Sequence, residues 1–313
     1  MKKNFKLNIY GLGGNEGKGS IRAVMNPALK NEIFNCVKEL KSYGFFTEFC
    51  KRTKTDYRTL WKYLNKHPYI PLYVLCELEK LSKADFRKHI KSLEYGTGDS
   101  KRKAKAVYNS NEDFASFVGA FIADGHLRFR ETKRGKRYEF VFREEYYSNV
   151  SALAKWINNV FNINVKPKKE KNHYSIYISN KIIFRYFTNI FGFSPGRKTE
   201  TVRIPGIIRE SSKKIKIAVI KGILMFDGSV LRKTGQIDLL SRSKDLILDS
   251  SKIIKDLGIG LSHVSKKPDN YKRYRLTIGR QAEIKKAIIF FEKGTRKYRR
   301  LKRVQEKFIN KKL

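Results

Sequence analysis

The stretch Val118-Gly-Ala-Phe-Ile-Ala-Asp124-Gly125, or VGAFIADG, places an acidic residue directly after an apolar run. If the run is a helix, its C-terminus carries partial negative charge, and a carboxylate there costs roughly 0.3–1 kcal/mol. Asp-Gly is also a common turn dipeptide, in which the glycine forms a left-handed cap. The chain repeats the pattern at Lys221-Gly-Ile-Leu-Met-Phe-Asp227-Gly228, again with glycine five residues before the acid. The repetition favours a shared function of the two acids over a simple turn.

Both copies begin the same series of predicted elements. After Asp124, alternating residues predict strands at 126–130 and 137–143, a helix at 148–162, strands near 163–169 and 173–179, and a helix at 180–192. After Asp227 the same order follows: a hairpin, a helix, strands near 260–267 and 271–278, and a helix from Gln281. We therefore predict an α+β fold in which residues 112–205 and 206–313 each form an α-β-β-α-β-β-α repeat.

A smaller all-α domain is predicted before the repeats, at residues 31–92. Two short helices in the segment 47–67, the second capped by Asp56, and a third after Pro71 resemble a helix-turn-helix. Its second helix would present Tyr57, Arg58, Trp61 and Lys62 to a major groove. A plain three-helix bundle is the alternative.

Two further segments have no periodic pattern. Residues 1–30 contain a glycine-rich stretch that matches neither the Walker A nor the dinucleotide motif, so we interpret it as a flexible turn. Residues 93–111, rich in Gly, Ser and Lys, are predicted to be a linker between the helical domain and the repeats.

The charge of the chain predicts a polyanionic partner. Lys and Arg number 69 against 29 Asp and Glu, a net charge of +40 spread over the whole length. Nucleic acid is the leading hypothesis. No apolar run reaches the ~18 residues of a membrane span, and the N-terminus lacks the apolar region of a secretory signal. With three cysteines and no CxxC pair, we expect reduced thiols, no zinc site, no membrane association and a cytoplasmic protein.

The two motif copies, Phe117–Gly125 and Ile220–Gly228, resemble those of the LAGLIDADG homing endonucleases in their single-chain, two-motif form. The resemblance covers about residues 112–313. It implies that two motif helices pack side by side at a pseudo-twofold axis, below a saddle of two β-sheets that lies on the DNA major groove. It also implies metal-dependent cleavage of both strands of a long duplex, as in intron homing, by a monomer with an internal pseudo-dimer.

In such a fold the two motif acids would meet. Two carboxylates at two negative helix ends repel each other, and a hard dication with oxygen ligands makes the arrangement favourable. We therefore predict that Asp124 and Asp227 bind Mg²⁺ or Mn²⁺. The carbonyls of Ala123 and Phe226 are predicted as further ligands, because terminal helix carbonyls lack intrahelical partners.

Close approach of the motif helices requires small residues, which Gly119, Ala123 and Gly222 provide. Phe226 stands where the family has a small residue, so we expect looser contact between the helices at that end.

The family also has a basic residue near the scissile phosphate in each half. In the first half both Lys198 and Arg203, which precede an Ile-Pro pair, are candidates. In the second half the resemblance favours Lys297. Phosphate binding without a catalytic role is the alternative for each of the three.

The strands are predicted to carry recognition of DNA bases, because alternate residues share a face. The candidates are His126, Arg128, Arg130, Arg137, Glu139 and Arg143 in the first repeat, and Arg232, Gln236, Asp238, Arg242, Arg273 and Arg275 in the second. A merely solvated polar face would show the same alternation. Two other functions remain open on the same fold: a catalytically weak DNA-binding regulator, and an intron maturase that binds RNA.

Overall fold

A computed structural model describes residues 6–14, 20–96, 101–133 and 135–310. The helices are α1 (Pro27–Ser42), α2 (Phe46–Thr53), α3 (Tyr57–Asn65), α4 (Leu72–Ser82), α5 (Glu112–Asp124), α6 (Tyr147–Phe161), α7 (Lys181–Arg185), α8 (Gly206–Arg209), α9 (Lys213–Phe226), α10 (Lys244–Asp256), α11 (Gln281–Lys286) and α12 (Arg296–Asn310). The strands are β1 (Arg22–Val24), β2 (Tyr69–Pro71), β3 (Ser92–Tyr95), β4 (Arg102–Lys105), β5 (His126–Thr132), β6 (Gly135–Glu144), β7 (Lys168–Lys169), β8 (Tyr174–Ser179), β9 (Gly228–Val230), β10 (Ile237–Ser241), β11 (His263–Val264) and β12 (Tyr274–Ile278). The predicted α+β class is confirmed.

The two repeats have the same topology. Each contains a four-stranded antiparallel sheet, ordered β5-β6-β8-β7 in the first and β9-β10-β12-β11 in the second. The registers also match, because Glu144 pairs with Tyr174 where β6 ends and Ser241 pairs with Tyr274 where β10 ends. The predicted α-β-β-α-β-β-α order is thus confirmed in both halves.

The motif helices α5 and α9 pack against each other through two glycines related by the pseudo-twofold. A Cβ atom placed on Gly119 would lie 2.1 Å from the carbonyl oxygen of Val219. A Cβ atom on Gly222 would lie 2.1 Å from the carbonyl oxygen of Ser116. Any larger residue would force the two backbones apart, so both glycines are required by close approach.

The C-terminal ends of the motif helices are not left-handed turns. Gly125 has φ −69°, in the extended region, and a Cβ atom there would lie 2.5 Å from Cδ2 of Phe121. Phe226 is buried, and the looser helix contact expected at that end stays a prediction. Its ring lies 6.0 Å from that of Phe142 on β6, so it packs against the first repeat beyond the glycine contacts.

We expect Gly222→Ala to lower the free energy of unfolding by about 3 kcal/mol or more, because the added methyl meets backbone atoms that cannot rotate away. Urea unfolding of both proteins measures the difference. Gly11→Ala is the matched control, since a Cβ atom at Gly11 has no heavy atom within 4 Å. The control should stay within about 0.5 kcal/mol of the parent. Equal stabilities for the two variants would contradict the close helix contact.

The N-terminal domain is mixed, and the prediction that it is all-α is wrong. Strands β1 to β4 form an antiparallel sheet in the order β2-β1-β3-β4. Strands β3 and β4 lie mostly in the segment 93–111, so the linker prediction is also wrong. Strands β3 and β4 have only four residues each. Each contributes one buried apolar residue, Leu93 and Ala104, and these two residues pair directly. A strand pair with so little apolar content gives no periodic signal in the sequence.

Residues 1–30 are partly built into this domain. Residues 9–12 form a 3₁₀ turn in which Ile9 and Leu12 are buried, so this part of the segment is not a flexible turn. Strand β1 and the start of α1 also fall within residues 1–30. Residues 1–5 and 15–19, which include part of the glycine-rich stretch, lie outside the described residues.

The predicted helices of the helix-turn-helix segment are confirmed as α2, α3 and α4. Lys54 takes the left-handed conformation, with φ 52°, at the turn between α2 and α3. The Asp56 side chain caps α3 by accepting a 2.6 Å hydrogen bond from the backbone N–H of Thr59. Leu60 and Leu64 bury one face of α3. The helices therefore form as predicted, and the DNA-binding role of α3 stays a prediction.

The N-terminal domain packs on the first repeat. The buried Tyr186 hydroxyl donates to the carbonyl of Val107 (3.1 Å) and accepts from the N–H of the same residue (2.8 Å). The Asn189 amide donates to the carbonyl of Gly11 at 2.8 Å. These bonds fix the N-terminal domain beside one half of the pseudo-dimer. Within the described ranges, no helix is long and apolar enough to cross a membrane.

Candidate active site

The two motif acids lie at the adjacent ends of the paired helices. Asp124 is the last residue of α5, and Asp227 is the cap of α9. Burial, and then the negative charge of Asp124, raise the pKa of Asp227 to about 7. Desolvation by the surrounding protein also raises the pKa of Asp124. The side chain of Asp124 is more exposed than the half-buried Asp227, so solvent screens the effect more strongly at Asp124. The two carboxylates are thus close enough to interact, as predicted.

Each helix end is contacted by one lysine. Lys198 Nζ donates to the carbonyls of Ile122 (2.7 Å) and Ala123 (3.0 Å) at the end of α5. Lys297 Nζ donates to the carbonyls of Leu224, Met225 and Phe226 at 3.1, 2.8 and 3.2 Å at the end of α9. The two lysines therefore have matching positions in the two halves, although Lys198 lies in a loop and Lys297 lies in α12.

Burial lowers the pKa of both lysines to about 8, against the opposing effect of the nearby acids. Asp227 and Asp124 act on both ammonium groups, and Glu144 acts on Lys297 as well. The site thus contains two acids and two lysines whose charges influence one another. Such a cluster of shifted groups is typical of a functional site.

Arg203, the other basic candidate of the first half, is placed elsewhere. Its guanidinium bonds to Asp249 at 3.2 and 3.3 Å and lies 3.8 Å from Asp245, both on α10. Asp249 also accepts from Arg209, so Arg203 belongs to a charge network that ties the segment before α9 to α10. Lys198 therefore lies at the end of α5 beside the motif acids, whereas Arg203 lies at α10.

Glu144, at the end of β6, is a site residue that sequence reasoning missed. Burial is the main cause that raises its pKa, and the charge of Asp124 adds to it, while the charge of Lys297 lowers it. Its carboxylate accepts a 3.1 Å hydrogen bond from the N–H of Tyr146. Since Ser241 holds the equivalent register position in the second sheet, the two halves of the site differ here. The position of Glu144 at a strand end was the signal available in the sequence.

The oxygen atoms of the site fit a hard divalent cation. Among the residues that the structure describes, none donates a hydrogen bond that lowers the pKa of Asp124 or Asp227, so their carboxylate oxygens are available as ligands. The described residues contain no group of three or more His, Cys, Asp or Glu that could hold a metal ion by themselves. The carbonyls predicted as further ligands, those of Ala123 and Phe226, accept hydrogen bonds from Lys198 and Lys297.

The predicted base-contacting residues of the first sheet share one face. The register places Arg128 opposite Glu139, Arg130 opposite Arg137, and Glu139 opposite Ser179, and the same face includes His126 and Arg143. Glu139 is only 9% exposed, and its carboxylate lies 3.9 Å from Arg130. Tyr177, which is 51% exposed on this face, was not predicted. The first sheet therefore presents a largely basic surface.

In the second repeat, some of the predicted base-contacting residues form hydrogen bonds or ion pairs with other residues of the protein. Asp238 is 7% exposed and accepts hydrogen bonds from Thr277 Oγ1 (2.6 Å) and Gln236 Nε2 (3.1 Å). Arg273 pairs with Asp269 at 2.9 Å. Arg275 lies on β12, whereas Arg232 and Arg242, predicted on strands, lie in the loops that flank β10. None of these three side chains has a carboxylate partner within the described part of the chain.

The four predicted residues of α3 are all exposed, with Tyr57 and Trp61 at 48% and 43%. The ammonium of Lys41 on α1 lies 3.5 Å from the centre of the Tyr57 ring. Aromatic and basic side chains thus alternate along the exposed face of this helix.

The raised pKa of Asp227 predicts a pH-dependent effect of Asp227→Asn on stability. A folded-state pKa of about 7 against 3.8 in the unfolded chain means that ionised Asp227 destabilises the fold increasingly as pH rises from 4 to 7. In EDTA at pH 8 the variant should melt about 2–4 °C higher than the parent, and the difference should vanish near pH 4. Glu39→Gln, which alters an exposed carboxylate on α1 that has no ion pair among the described residues, is the control. A melting difference that is the same at both pH values would contradict the shift.

The twin sheets, the glycine contact and the paired acids define a LAGLIDADG-fold protein. The sequence profile of the WhiA LAGLIDADG-like domain matches residues 114–201 and 216–289, together just over half of the chain. The chain belongs to this family.

The curated relatives are much longer proteins. The chain is 26% identical to one subunit of the A-type ATP synthase of Pyrococcus abyssi over 176 residues, which is 56% of this chain and 16% of the relative. It is 24% identical to a DNA polymerase of Thermococcus hydrothermalis over 164 residues, 52% of this chain and 9% of the relative. The chain therefore spans less than a fifth of the length of either relative.

Solved structures with a similar fold include I-DmoI in complex with DNA and Mn, at 19% identity and a TM-score of 0.45, covering 59% of this chain and 98% of that one. They also include full-length DUF199/WhiA from Thermatoga maritima, at 15% identity and a TM-score of 0.42, covering 66% and 63%.

Proposed function

We propose that the protein is a site-specific DNA endonuclease that hydrolyses both strands of a long duplex in the presence of Mg²⁺ or Mn²⁺. The observation that carries the proposal is the arrangement of Asp124 and Asp227 at adjacent helix ends, each end contacted by a lysine. Burial and repulsion from Asp124 hold the pKa of Asp227 near 7, so ionised Asp227 costs stability unless a cation binds beside it.

In this proposal Asp124 and Asp227 would hold the metal ion, with DNA phosphate oxygens as further ligands. When bound, the ion would help to ionise the attacking water and stabilise the leaving oxygen. Lys198 and Lys297 place positive charge beside the scissile phosphates. With a pKa of about 8, each Nζ carries its proton at neutral pH and could donate it to a phosphate oxygen.

The DNA surface in this proposal is the outer face of the two sheets. The largely basic face of the first sheet, Arg275 on β12, and Arg232 and Arg242 in the loops that flank β10 would contact bases and phosphates. Helix α3 of the N-terminal domain would contact the duplex beyond the first repeat, because that domain is bonded to the first repeat. One chain supplies both halves, so the active form is a monomer with an internal pseudo-dimer.

A DNA-binding regulator without cleavage activity is the second candidate. Lys198 and Lys297 donate hydrogen bonds to the carbonyls predicted as metal ligands. Their ammonium groups also offset part of the negative charge of the two motif acids. The paired acids could then exist without a metal ion. Binding of intron RNA by the same basic surface is a third candidate, which the net charge of +40 supports equally well.

Selection of cleaved sequences from a randomised duplex library with Mg²⁺ tests the proposal directly. A plasmid that carries the recovered site should be linearised with Mg²⁺ and stay intact in EDTA. Specific binding to duplex DNA without nicking would favour the regulator. Tighter binding to structured intron RNA than to duplex DNA in a competition assay would favour the maturase.

A further inference from the structure

The second repeat ends in a strongly basic helix. Helix α12 has seven basic residues and one acidic residue among its fifteen. Between α12 and the turn after β9 lies a surface cleft of about 420 Å³. Its charged lining consists of Arg232, Arg296, Arg299, Arg300, Arg303 and Lys307. We call this feature the α12 cleft.

The charge of the α12 cleft is not neutralised within the protein. No carboxylate in the described ranges forms an ion pair with any of the six residues. Two of them are held by uncharged groups: Arg300 donates to the carbonyl of Val230 at 2.7 Å, and the Arg296 guanidinium lies 4.5 Å from the centre of the Tyr146 ring. Five guanidinium groups thus share one depression, which is unfavourable without an anion.

The pKa of Arg300 is consistent with this crowding. Burial is the main cause that lowers it, and the charges of Arg296 and Arg232 lower it further. Planar guanidinium groups bind phosphate oxygens in bidentate fashion, so a phosphodiester would both neutralise the cleft and satisfy its donors.

We propose that the α12 cleft binds the phosphodiester backbone of duplex DNA on the second-repeat side of the target. This inference deepens the proposed function and rests on its assignment of DNA as the partner. The cleft includes Arg232 from the predicted DNA surface, and α12 also carries Lys297, which contacts the end of α9.

The spacing between Lys297 and Arg303 along α12 is consistent with a cleft that lies close to the motif acids. Arg303 lies six residues after Lys297, about 9 Å along the helix axis. That length corresponds to roughly three nucleotides of one DNA strand at about 3.4 Å each. Between Lys198 and α9 the one helix described is the four-residue α8, which begins where the first repeat ends, so Lys198 has no equivalent of α12 and the cleft belongs to one half of the pseudo-dimer.

The test compares two double variants that each remove two positive charges. Arg299→Gln/Arg303→Gln changes the cleft, whereas Lys252→Gln/Lys302→Gln changes exposed residues on α10 and α12 that do not line it. Affinity for a 40-base-pair random-sequence duplex is measured in EDTA over a range of salt concentrations. The slope of log affinity against log salt should become shallower by about 2 for the cleft variant and by under about 0.5 for the control.

Equal slope changes for the two double variants would overturn the proposal. The cleft variant should melt at or above the temperature of the parent, because it relieves repulsion between like charges. If it unfolds instead, the single variant Arg303→Gln carries the test, with an expected slope change of about 1. Because the assay measures binding in EDTA, its result does not depend on whether the protein cleaves DNA.

Discussion

Asp124→Asn and Asp227→Asn should each reduce double-strand cleavage by about 10³-fold or more, while affinity for the target survives. Asparagine keeps the size of the side chain but removes the charge that holds a divalent cation beside the scissile phosphate. A loss of this size corresponds to about 4 kcal/mol of transition-state stabilisation. Binding should stay equal or tighten slightly, because one negative charge facing the phosphates is gone.

Linearisation of a plasmid that carries the selected site measures cleavage, and a gel shift with Ca²⁺ measures binding. Glu39→Gln is the control, since it removes an exposed carboxylate on α1 away from the motif helices, and it should cut like the parent. Cleavage that persists in both motif variants would show that the metal assignment is wrong. Loss of binding together with cleavage would assign the two acids a structural role.

Binding to duplex DNA should weaken steeply with salt, by roughly 10³–10⁵-fold between 50 and 200 mM for six to ten phosphate contacts. The excess of 69 basic over 29 acidic residues, together with the unpaired arginines of β12 and the loops that flank β10 and with the α12 cleft, supports this number of contacts. Each contact releases a condensed counterion, and added salt opposes that release.

Fluorescence anisotropy with a labelled duplex at five salt concentrations gives the slope. Sucrose at matched osmolality adds no ions and should leave the affinity unchanged. A slope near zero would rule out phosphate contacts as the main source of affinity, and with them the inference from net charge.

The repeat and its site could be predicted because their signals are local. The glycines and acids of the motifs have fixed spacing, and the contacts of Gly119 and Gly222 show why no other residue fits at the helix crossing. The resemblance named Lys198, Arg203 and Lys297 as candidates, and of these Lys198 and Lys297 contact the motif helices at 2.7–3.2 Å.

Other features depend on contacts between distant residues, which no local pattern encodes. Glu144 reaches the site because β6 ends beside it, and Arg203 is drawn away by Asp249, 46 residues later in the chain. Strands β3 and β4 are too short for an alternating signal and exist because they extend a sheet that includes β1 and β2.

The attachment of the N-terminal domain to the first repeat, and of α12 to the second, gives the pseudo-dimer two unlike ends. A symmetric dimer would fit a palindrome equally well after a half turn. This chain would not fit a palindrome equally well in both orientations. A half turn on the duplex would put the α12 cleft at the position that helix α3 had occupied. The protein therefore has a polarity, and a target sequence read by it would have a left and a right.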